Sequence, residues 1–310
     1  MHFAFIENIG FIHWAGFCLF LIIMLALDLG VFNKKQHEVS VKEAIGWSAV
    51  WIVLALMFNG GVFLLMGHDK GLEFLTGYLL EKSLSVDNLF VFLLLFSYFD
   101  VPKKYQHKVL YWGIVGALLM RAGLIVLGAA LLNMFWWIIF IFGGFLVIAG
   151  LKMAFQKEQK VEPDKNPVVR FVKKIMPVSD NYEKDKFFIR RKTGLLATPL
   201  FIVLIIVETT DLVFAFDSIP AILAITNDTF IVFTSNAFAI LGLRALYFAL
   251  SGFMDKFTYL KLGLSIILIF IGMKMLLSGV LHISTVTSLL VILVILTIAI
   301  VMSMMKNKKI

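Results

Sequence analysis

The sequence predicts an all-α membrane protein with about nine transmembrane helices, six of which form an inverted repeat of two three-helix units. Three observations support this prediction: an apolar composition, long apolar stretches separated by short polar segments, and a set of landmarks that recurs in the second half. Of the 310 residues, 61% are hydrophobic and only 15% are charged. A soluble domain is nearer half apolar and about a quarter charged. A multi-spanning membrane protein is therefore the expected class.

Nine apolar stretches reach the length of about 20 residues that a helix needs to cross a bilayer. Several are longer, and we expect these to tilt or kink. The first is expected to be retained as a helix rather than cleaved as a signal peptide, because no Lys or Arg precedes it. The stretches lie at residues 11–32, 43–66, 72–98, 108–132, 134–155, 195–224, 228–250, 260–281 and 285–305.

The spans are expected to form a single transmembrane domain over residues 1–310. A polar, basic segment with three prolines, 156–193, separates the fifth span from the sixth and is predicted to be a cytoplasmic loop. Within it, residues 168–176 are compatible with a short amphipathic helix, and an irregular loop is an equal alternative. The predicted subdivisions are a first repeat at 72–155, the loop at 156–193, an inverted second repeat at 194–281, and a last helix with its tail at 285–310.

The distribution of basic residues predicts how the chain is oriented in the membrane. With nine spans, 22 Lys and Arg residues outside the helices fall on one side, and Lys70 alone falls on the other. Cytoplasmic loops carry the excess of Lys and Arg. This places the N-terminus outside and the C-terminus in the cytoplasm. The net charge of +8 therefore reflects topology, and no cluster of basic and aromatic residues indicates nucleic-acid binding.

Both halves of the chain carry the same landmarks in the same order: two acids six residues apart, an Arg-Ala pair, and a Gly-x-Lys-Met sequence. A unit of three helices is odd in number, so its second copy enters the membrane upside down. Inverted repeats of this kind are typical of secondary transporters, whose site lies near the midplane where the copies meet. The paired landmarks are Glu81 and Asp87 with Asp211 and Asp217, Arg121 with Arg244, and Lys152 with Lys274.

Five acids in the third and sixth spans are the candidate metal ligands, because charges inside a membrane are costly and typically functional. Arg121, Arg244 and Lys82 are expected to serve in ion pairs or gating, and three bases against five acids leave an excess of about two negative charges. That excess favours a divalent cation or protons. The acids are Glu81, Asp87, Glu208, Asp211 and Asp217, and the additional candidate ligands are Asn88, Ser218 and Asp28.

Pro220 predicts a local opening of the sixth span. Proline has no N–H for the carbonyl of Phe216, and its ring clashes there, so the helix is expected to kink or open near Phe216 and Asp217. A freed carbonyl beside carboxylates would be a further cation ligand.

The candidate ligands are oxygen donors, and none of the six histidines joins the acidic motifs. Hard oxygen donors suit Mg²⁺, Ca²⁺ or Mn²⁺, whereas Zn²⁺, Cu²⁺ and Ni²⁺ usually recruit imidazole or thiolate. The ion is expected to be transported cargo, with no permanently bound cofactor.

Two long segments resemble the signatures of a known family. EKSLSVDNLFVF at 81–92 and ETTDLVFAFDSIPAI at 208–222 are similar to the paired signatures of the TerC family of membrane proteins, and LDLGVF at 27–32 and GLRALYF at 242–248 extend the similarity to its Alx-type members. The resemblance implies a LysE-like transporter fold, a link to tellurium resistance, and manganese export across the bacterial cytoplasmic membrane. It also implies that the five acids named above form the metal site.

The sequence therefore predicts a divalent-cation exporter of the inner membrane that carries Mn²⁺, with proton exchange on the same carboxylates as a further hypothesis. Its expected partners are the lipid bilayer and the cation, and the oligomeric state is left open. The alternatives are a Ca²⁺ transporter, and a non-transporting scaffold that supports metal loading or stress resistance. An enzyme is not expected, because no Ser/His or His-x-x-x-His arrangement accompanies the acids.

Overall fold

The computed structural model describes residues 10–32, 40–135, 137–155, 167–179, 181–191, 194–251, 259–281 and 283–307. Within these ranges the chain forms eleven α-helices and one antiparallel hairpin. In chain order they are α1 (Phe11–Phe32), α2 (Val41–Met66), α3 (His68–Tyr98), α4 (Lys103–Met134), α5 (Ile138–Phe155), α6 (Pro167–Ile175), β1 (Phe188–Arg191), β2 (Gly194–Ala197), α7 (Pro199–Leu223), α8 (Thr229–Leu241), α9 (Leu243–Leu250), α10 (Leu260–Leu276) and α11 (Thr285–Asn307).

Each predicted apolar stretch corresponds to one helix, except that 228–250 contains both α8 and α9, and the structure is that of an all-α membrane protein. By length and composition, six helical stretches in the described part are able to cross a membrane: α2, α4, α5, α7, the pair α8 and α9 taken together, and α11. Of the others, α10 has 17 residues and charged side chains interrupt α3. The described apolar stretch of α1 is Ile12–Leu27.

The segment between α5 and α7 contains more structure than the sequence analysis anticipated. The amphipathic helix is present as α6, so the alternative of an irregular loop is excluded for this stretch. The hairpin β1–β2 was not predicted, and it shifts the start of the next helix from the predicted residue 195 to Pro199. Proline at the first helical position is favoured because its fixed φ suits the helix and no hydrogen bond is lost there.

The predicted opening at Phe216 and Asp217 is not observed, because α7 continues as one helix through Pro220 to Leu223. The interruption lies instead at Gly242, between α8 and α9, where φ is −82° and ψ is 2°. Pro220 stands in the last turn of α7, so its missing N–H removes one bond close to the end of the helix, which can be tolerated. Asp228 begins α8 by accepting hydrogen bonds from the backbone N–H groups of Phe230 and Ile231.

Three helix pairs form the interior of the bundle: α3 packs on α8, α4 on α7, and α5 on α10. The last pair is the closest, and glycines permit it. A Cβ at Gly272 would lie 2.6 Å from the carbonyl oxygen of Gly143 and 2.8 Å from the backbone nitrogen of Val147. The two backbones therefore approach along a surface that has no room for a side chain, as is common between membrane helices.

The segment 177–198 is held against the ends of α3 and α4. The Tyr182 hydroxyl donates to the Phe99 carbonyl at 2.6 Å, and Lys108 pairs with Asp185 at 3.3 Å. Burial, together with the charge of Asp100, raises the pKa of Tyr182 to about 12, so this hydroxyl stays protonated at neutral pH. Tyr182 and Asp185 thus lie at the same end of the bundle as the α3–α4 turn.

Candidate functional site

A buried arginine joins the two acidic helices. Arg121 of α4 is only 1% exposed, and it binds Asp211 of α7 through two parallel hydrogen bonds, Nε to Oδ2 at 3.1 Å and Nη2 to Oδ1 at 3.0 Å. Its Nη1 forms an ion pair with Oε1 of Glu81 on α3, a residue with no exposed surface. The planar guanidinium suits this arrangement, because it presents donors in a fixed fork toward carboxylates.

Neutral side chains complete the cluster. Asn236 of α8 donates from Nδ2 to Oε2 of Glu81 at 3.0 Å, and its Oδ1 is 3.5 Å from Nη1 of Arg121. Ser218 of α7 accepts from the same Nη1 at 3.3 Å, and Ser85 donates to Glu81 Oε1 at 3.4 Å. Side chains from four helices, α3, α4, α7 and α8, therefore contribute to one polar network.

This network explains how two carboxylates can lie in an apolar region. Buried charges are stable only when they are paired and their remaining hydrogen-bonding positions are satisfied. Here both oxygens of Glu81 and both oxygens of Asp211 have partners. The single positive charge of Arg121 and the two negative charges of Glu81 and Asp211 sum to a formal charge of −1.

Glu208 is positioned close to this cluster, three residues before Asp211 and thus on the same face of α7. Its Oε2 is buried, and it has no hydrogen-bond partner among the described residues. The carboxylate rests against Gly116 of α4, where a Cβ would overlap Oε1. The glycine leaves room for the carboxylate, and Glu208 thus has a buried ligand atom without a hydrogen-bond partner among the described residues.

The remaining predicted ligands are more dispersed. Asp217 is partly exposed on α7 and lies within electrostatic reach of Lys152, which is exposed. Asn88 is buried on α3. Asp87 and Asp28 belong to helices α3 and α1, but their side chains lie outside the described residues.

The described acids do not converge as a set of metal ligands. No group of three or more His, Cys, Asp or Glu side chains in the described part is arranged to hold a metal ion. The structure brings Glu81 and Asp211 together. They meet around the guanidinium of Arg121, which occupies the space between them.

The two other predicted bases have distinct environments. Lys82 donates to the carbonyl oxygen of Ala239 at 3.2 Å, in the last turn of α8, where the helix dipole favours a positive charge. Arg244 of α9 is buried. It lines a small cavity, with room for about one water molecule, together with Ser85, Arg121 and Asp211.

Asn236 is the member of the cluster that the sequence analysis missed. Its signal was present: Thr234, Ser235 and Asn236 form a polar run within the apolar span 228–250. An asparagine inside a membrane helix usually faces a protein interior and bonds across helices. All three residues are buried.

Comparisons with known proteins found a matching family and similar relatives. The family described as "Integral membrane protein TerC family" matches residues 66–310. An uncharacterized membrane protein of Myxococcus xanthus is 50% identical over 95% of this chain and 92% of its own length. The protein of Salmonella typhi named "Putative membrane-bound redox modulator Alx" is 46% identical over 95% of this chain and 94% of its own length. No solved structure matches.

Proposed function

Because the chain belongs to the TerC family of integral membrane proteins, we propose that it exports a divalent cation, Mn²⁺, from the cytoplasm through the bundle interior. The observation that supports this proposal is the buried polar cluster of Glu81, Asp211 and Arg121. Ionisable residues within membrane helices are rare, face the bundle interior and mark ion pathways.

The chemistry of the available side chains favours a hard cation. The cluster and its surroundings offer carboxylate, hydroxyl and amide oxygens from Glu81, Glu208, Asp211, Ser218 and Asn236. Such donors suit Mn²⁺, Mg²⁺ and Ca²⁺. The choice of Mn²⁺ over Ca²⁺ comes from the resemblance of the two acidic segments to the signatures of the family.

The helix pairing supports the inverted repeat within a nine-span topology. Suppose that α3, α4 and α5 correspond to α7, the pair α8–α9, and α10. Exchanging the two units then turns the contact of α3 with α8 into the contact of α7 with α4, and it leaves the contact of α5 with α10 unchanged. These three contacts are present in the structure. Arg121 then bonds equivalent acids, Glu81 and Asp211, on the two sides of the repeat. With the excess of basic residues inside, the N-terminus lies outside and the C-terminus in the cytoplasm of a bacterial cell.

In the proposed mechanism Arg121 serves as a tethered cation. It pairs with both Glu81 and Asp211 when no metal is bound, so neither of these carboxylates lacks a cationic partner. A divalent ion first meets Glu208 and Asp217, which are partly accessible. It then takes Asp211 as a ligand while Arg121 keeps its bond to Glu81. Protons that load the same carboxylates would compete with the metal and couple the two fluxes.

The Alx relatives carry the word redox in their name. This chain has a single cysteine, Cys18. A dithiol–disulfide cycle within one chain needs two cysteines. The proposal therefore rests on the carboxylates.

Flux measurements on the purified protein in vesicles test this function. We expect uptake of Mn²⁺ into vesicles to exceed uptake of Ca²⁺ and Mg²⁺, and to respond to an imposed pH gradient. Ca²⁺ uptake above Mn²⁺ uptake would mean that Ca²⁺, and not Mn²⁺, is the transported ion. A rate of Mn²⁺ uptake that does not change under a pH gradient would contradict the proposed exchange of protons. Absence of flux for all three ions, with the protein folded in the vesicles, would contradict transport itself and favour the scaffold alternative.

A further inference from the structure

The short helix α6 has one apolar half and one basic half. At about 100° per residue, Val168, Val169, Phe171, Val172 and Ile175 fall within one half of the helix circumference. The opposite half carries the basic residues, all of them exposed: Arg170, Lys173 and Lys174.

Only part of the apolar half is used for packing within the chain. Val169 is 1% exposed and Val172 packs against the main hydrophobic core, where α6 meets α7. Phe171 and Ile175, on the other part of the apolar half, are 62% and 65% exposed. The helix is therefore fixed to the bundle by one edge while a large aromatic and a large aliphatic side chain point away from the protein.

The position of α6 brings this exposed edge to the membrane boundary. The residues just after α6 pair with β2: the Ala197 N–H donates to the Pro177 carbonyl at 3.0 Å, and the Ser179 N–H donates to the Ala197 carbonyl at 2.8 Å. Two residues after β2 ends, α7 begins at Pro199 and runs as an apolar, membrane-length helix. The end of α6 is thus anchored at the level where the α7 span starts.

The neighbouring hairpin repeats the same combination of side chains. Phe188 and Leu195 are 41% and 53% exposed. Arg190 and Arg191, in the same hairpin, are exposed as well. Interfacial elements typically carry exposed apolar side chains beside basic ones at the boundary of a membrane span. They insert their apolar edge into the membrane and place their charges among anionic headgroups.

We propose that α6 is an interfacial helix that inserts Phe171 and Ile175 into the headgroup boundary of an anionic bilayer, with Lys174 contacting lipid phosphates. The charge complementarity selects anionic lipid as the occupant of this surface. The inference depends on the chain spanning the membrane and does not depend on the identity of the transported ion.

Site-specific fluorescence in vesicles tests this contact. In a Cys18→Ser background, Phe171→Cys is labelled with an environment-sensitive fluorophore, and Lys174→Cys serves as the control on the basic half. Vesicles of anionic or of zwitterionic phospholipid carry quenchers attached near the top of the acyl chains. We expect strong quenching at position 171 in anionic vesicles and weak quenching at position 174.

The charge contribution is tested by adding Lys174→Gln to the Phe171→Cys protein. One basic residue near an anionic surface contributes about fivefold to partitioning, so the ratio of lipid-contacting to non-contacting label should fall by about that factor. Equal quenching at positions 171 and 174, or equal quenching in both lipids, would overturn the proposal. A label that is shielded from water but untouched by the lipid quenchers would show that a protein covers this surface and would also overturn it.

Discussion

At the scale of single residues, Arg121 is the side chain on which the buried network depends. Removing one partner of a buried ion pair leaves an uncompensated charge and costs about 3–5 kcal/mol. Arg121→Ala exposes both Glu81 and Asp211 to this cost, so we expect a large fall in the thermal stability of the purified protein. The measurement is the melting temperature in detergent.

Lys274→Ala is the matched control, because it also removes a base from a helix. Lys274 donates one hydrogen bond to Ser288 on α11, at 2.9 Å, and is only partly buried. Its loss should cost about 1 kcal/mol. If Lys274→Ala proved the more damaging of the two, the interior role assigned to Arg121 would be wrong.

Glu208 gives a prediction in which stability and transport separate. Its Oε2 has no hydrogen-bond partner in the described part of the chain, so Glu208→Gln should leave the melting temperature nearly unchanged. If Glu208 is a ligand for the entering cation, the loss of its charge should lower the apparent Mn²⁺ affinity by about a hundredfold, the equivalent of several kcal/mol. Asp69→Asn, an exposed acid at the start of α3, is the control. Equal Mn²⁺ transport by both variants would contradict a role of Glu208 as a ligand for the cation.

The sequence predicts the members of the site better than their arrangement. Charges in apolar stretches are conspicuous, so Glu81, Asp211 and Arg121 are identified without coordinates. That Arg121 bonds both acids depends on how α3 and α4 each pack on α7, and this packing is not encoded in local periodicity. Asn236 was missed because a neutral residue in a membrane helix gives a weaker signal than a charge.

At the scale of elements, the contact of α5 with α10 should tolerate no added side chain. A Cβ at Gly272 would meet backbone atoms of Gly143 and Val147 below 3 Å, and backbone cannot rotate away. Gly272→Ala should therefore separate the two helices and cost roughly 1–3 kcal/mol or more.

Gly144 provides the control for this contact, because nothing lies within 4 Å of a Cβ placed there. Gly144→Ala should be neutral or slightly stabilising, since alanine is the better helix former. Melting temperatures of the two variants decide the matter. Equal stability would mean that α5 and α10 do not approach as closely as described.

The elements also show where local rules succeed and where they fail. Apolar length located each long helix within about five residues, with α8 and α9 taken together. Pro220 was expected to open α7, but it lies in the last turn, where one lost hydrogen bond has little effect. The break occurs at Gly242, whose neighbours Trp51 and Lys82 would both lie close to a Cβ there, the Lys82 Nζ at 2.8 Å. That constraint comes from tertiary packing and is absent from the local sequence.

At the scale of the whole molecule, composition was sufficient to predict a helical membrane protein, and the orientation inferred from the basic residues stays a prediction. The hairpin β1–β2 and the docking of its segment on α3 and α4 were not predicted, because short strands leave little pattern and their contacts are distant in sequence. The interfacial role of α6 likewise requires knowing which of its apolar residues remain exposed.

The orientation itself can be tested by accessibility of inserted tags. We expect tags at residue 160 and at residue 308 to be reached only from the cytoplasm, and a tag beside Lys70 only from outside, because the basic segments stay inside. Tags at 160 and 308 on opposite sides would contradict both the nine-span count and the inversion of the repeat.

The central claim is that acids at equivalent positions of two inverted helices share a transported cation, and paired substitution of Asp87 and Asp217 tests it most directly. Mn²⁺ flux into vesicles is measured for Asp87→Asn and for Asp217→Asn, each alongside the melting temperature of the same preparation. Each variant removes one charge at nearly constant shape. The account predicts that both variants stay folded and that the apparent Mn²⁺ affinity in the flux measurement falls by about a hundredfold in each. Two folded variants that transport Mn²⁺ as the parent does would contradict it.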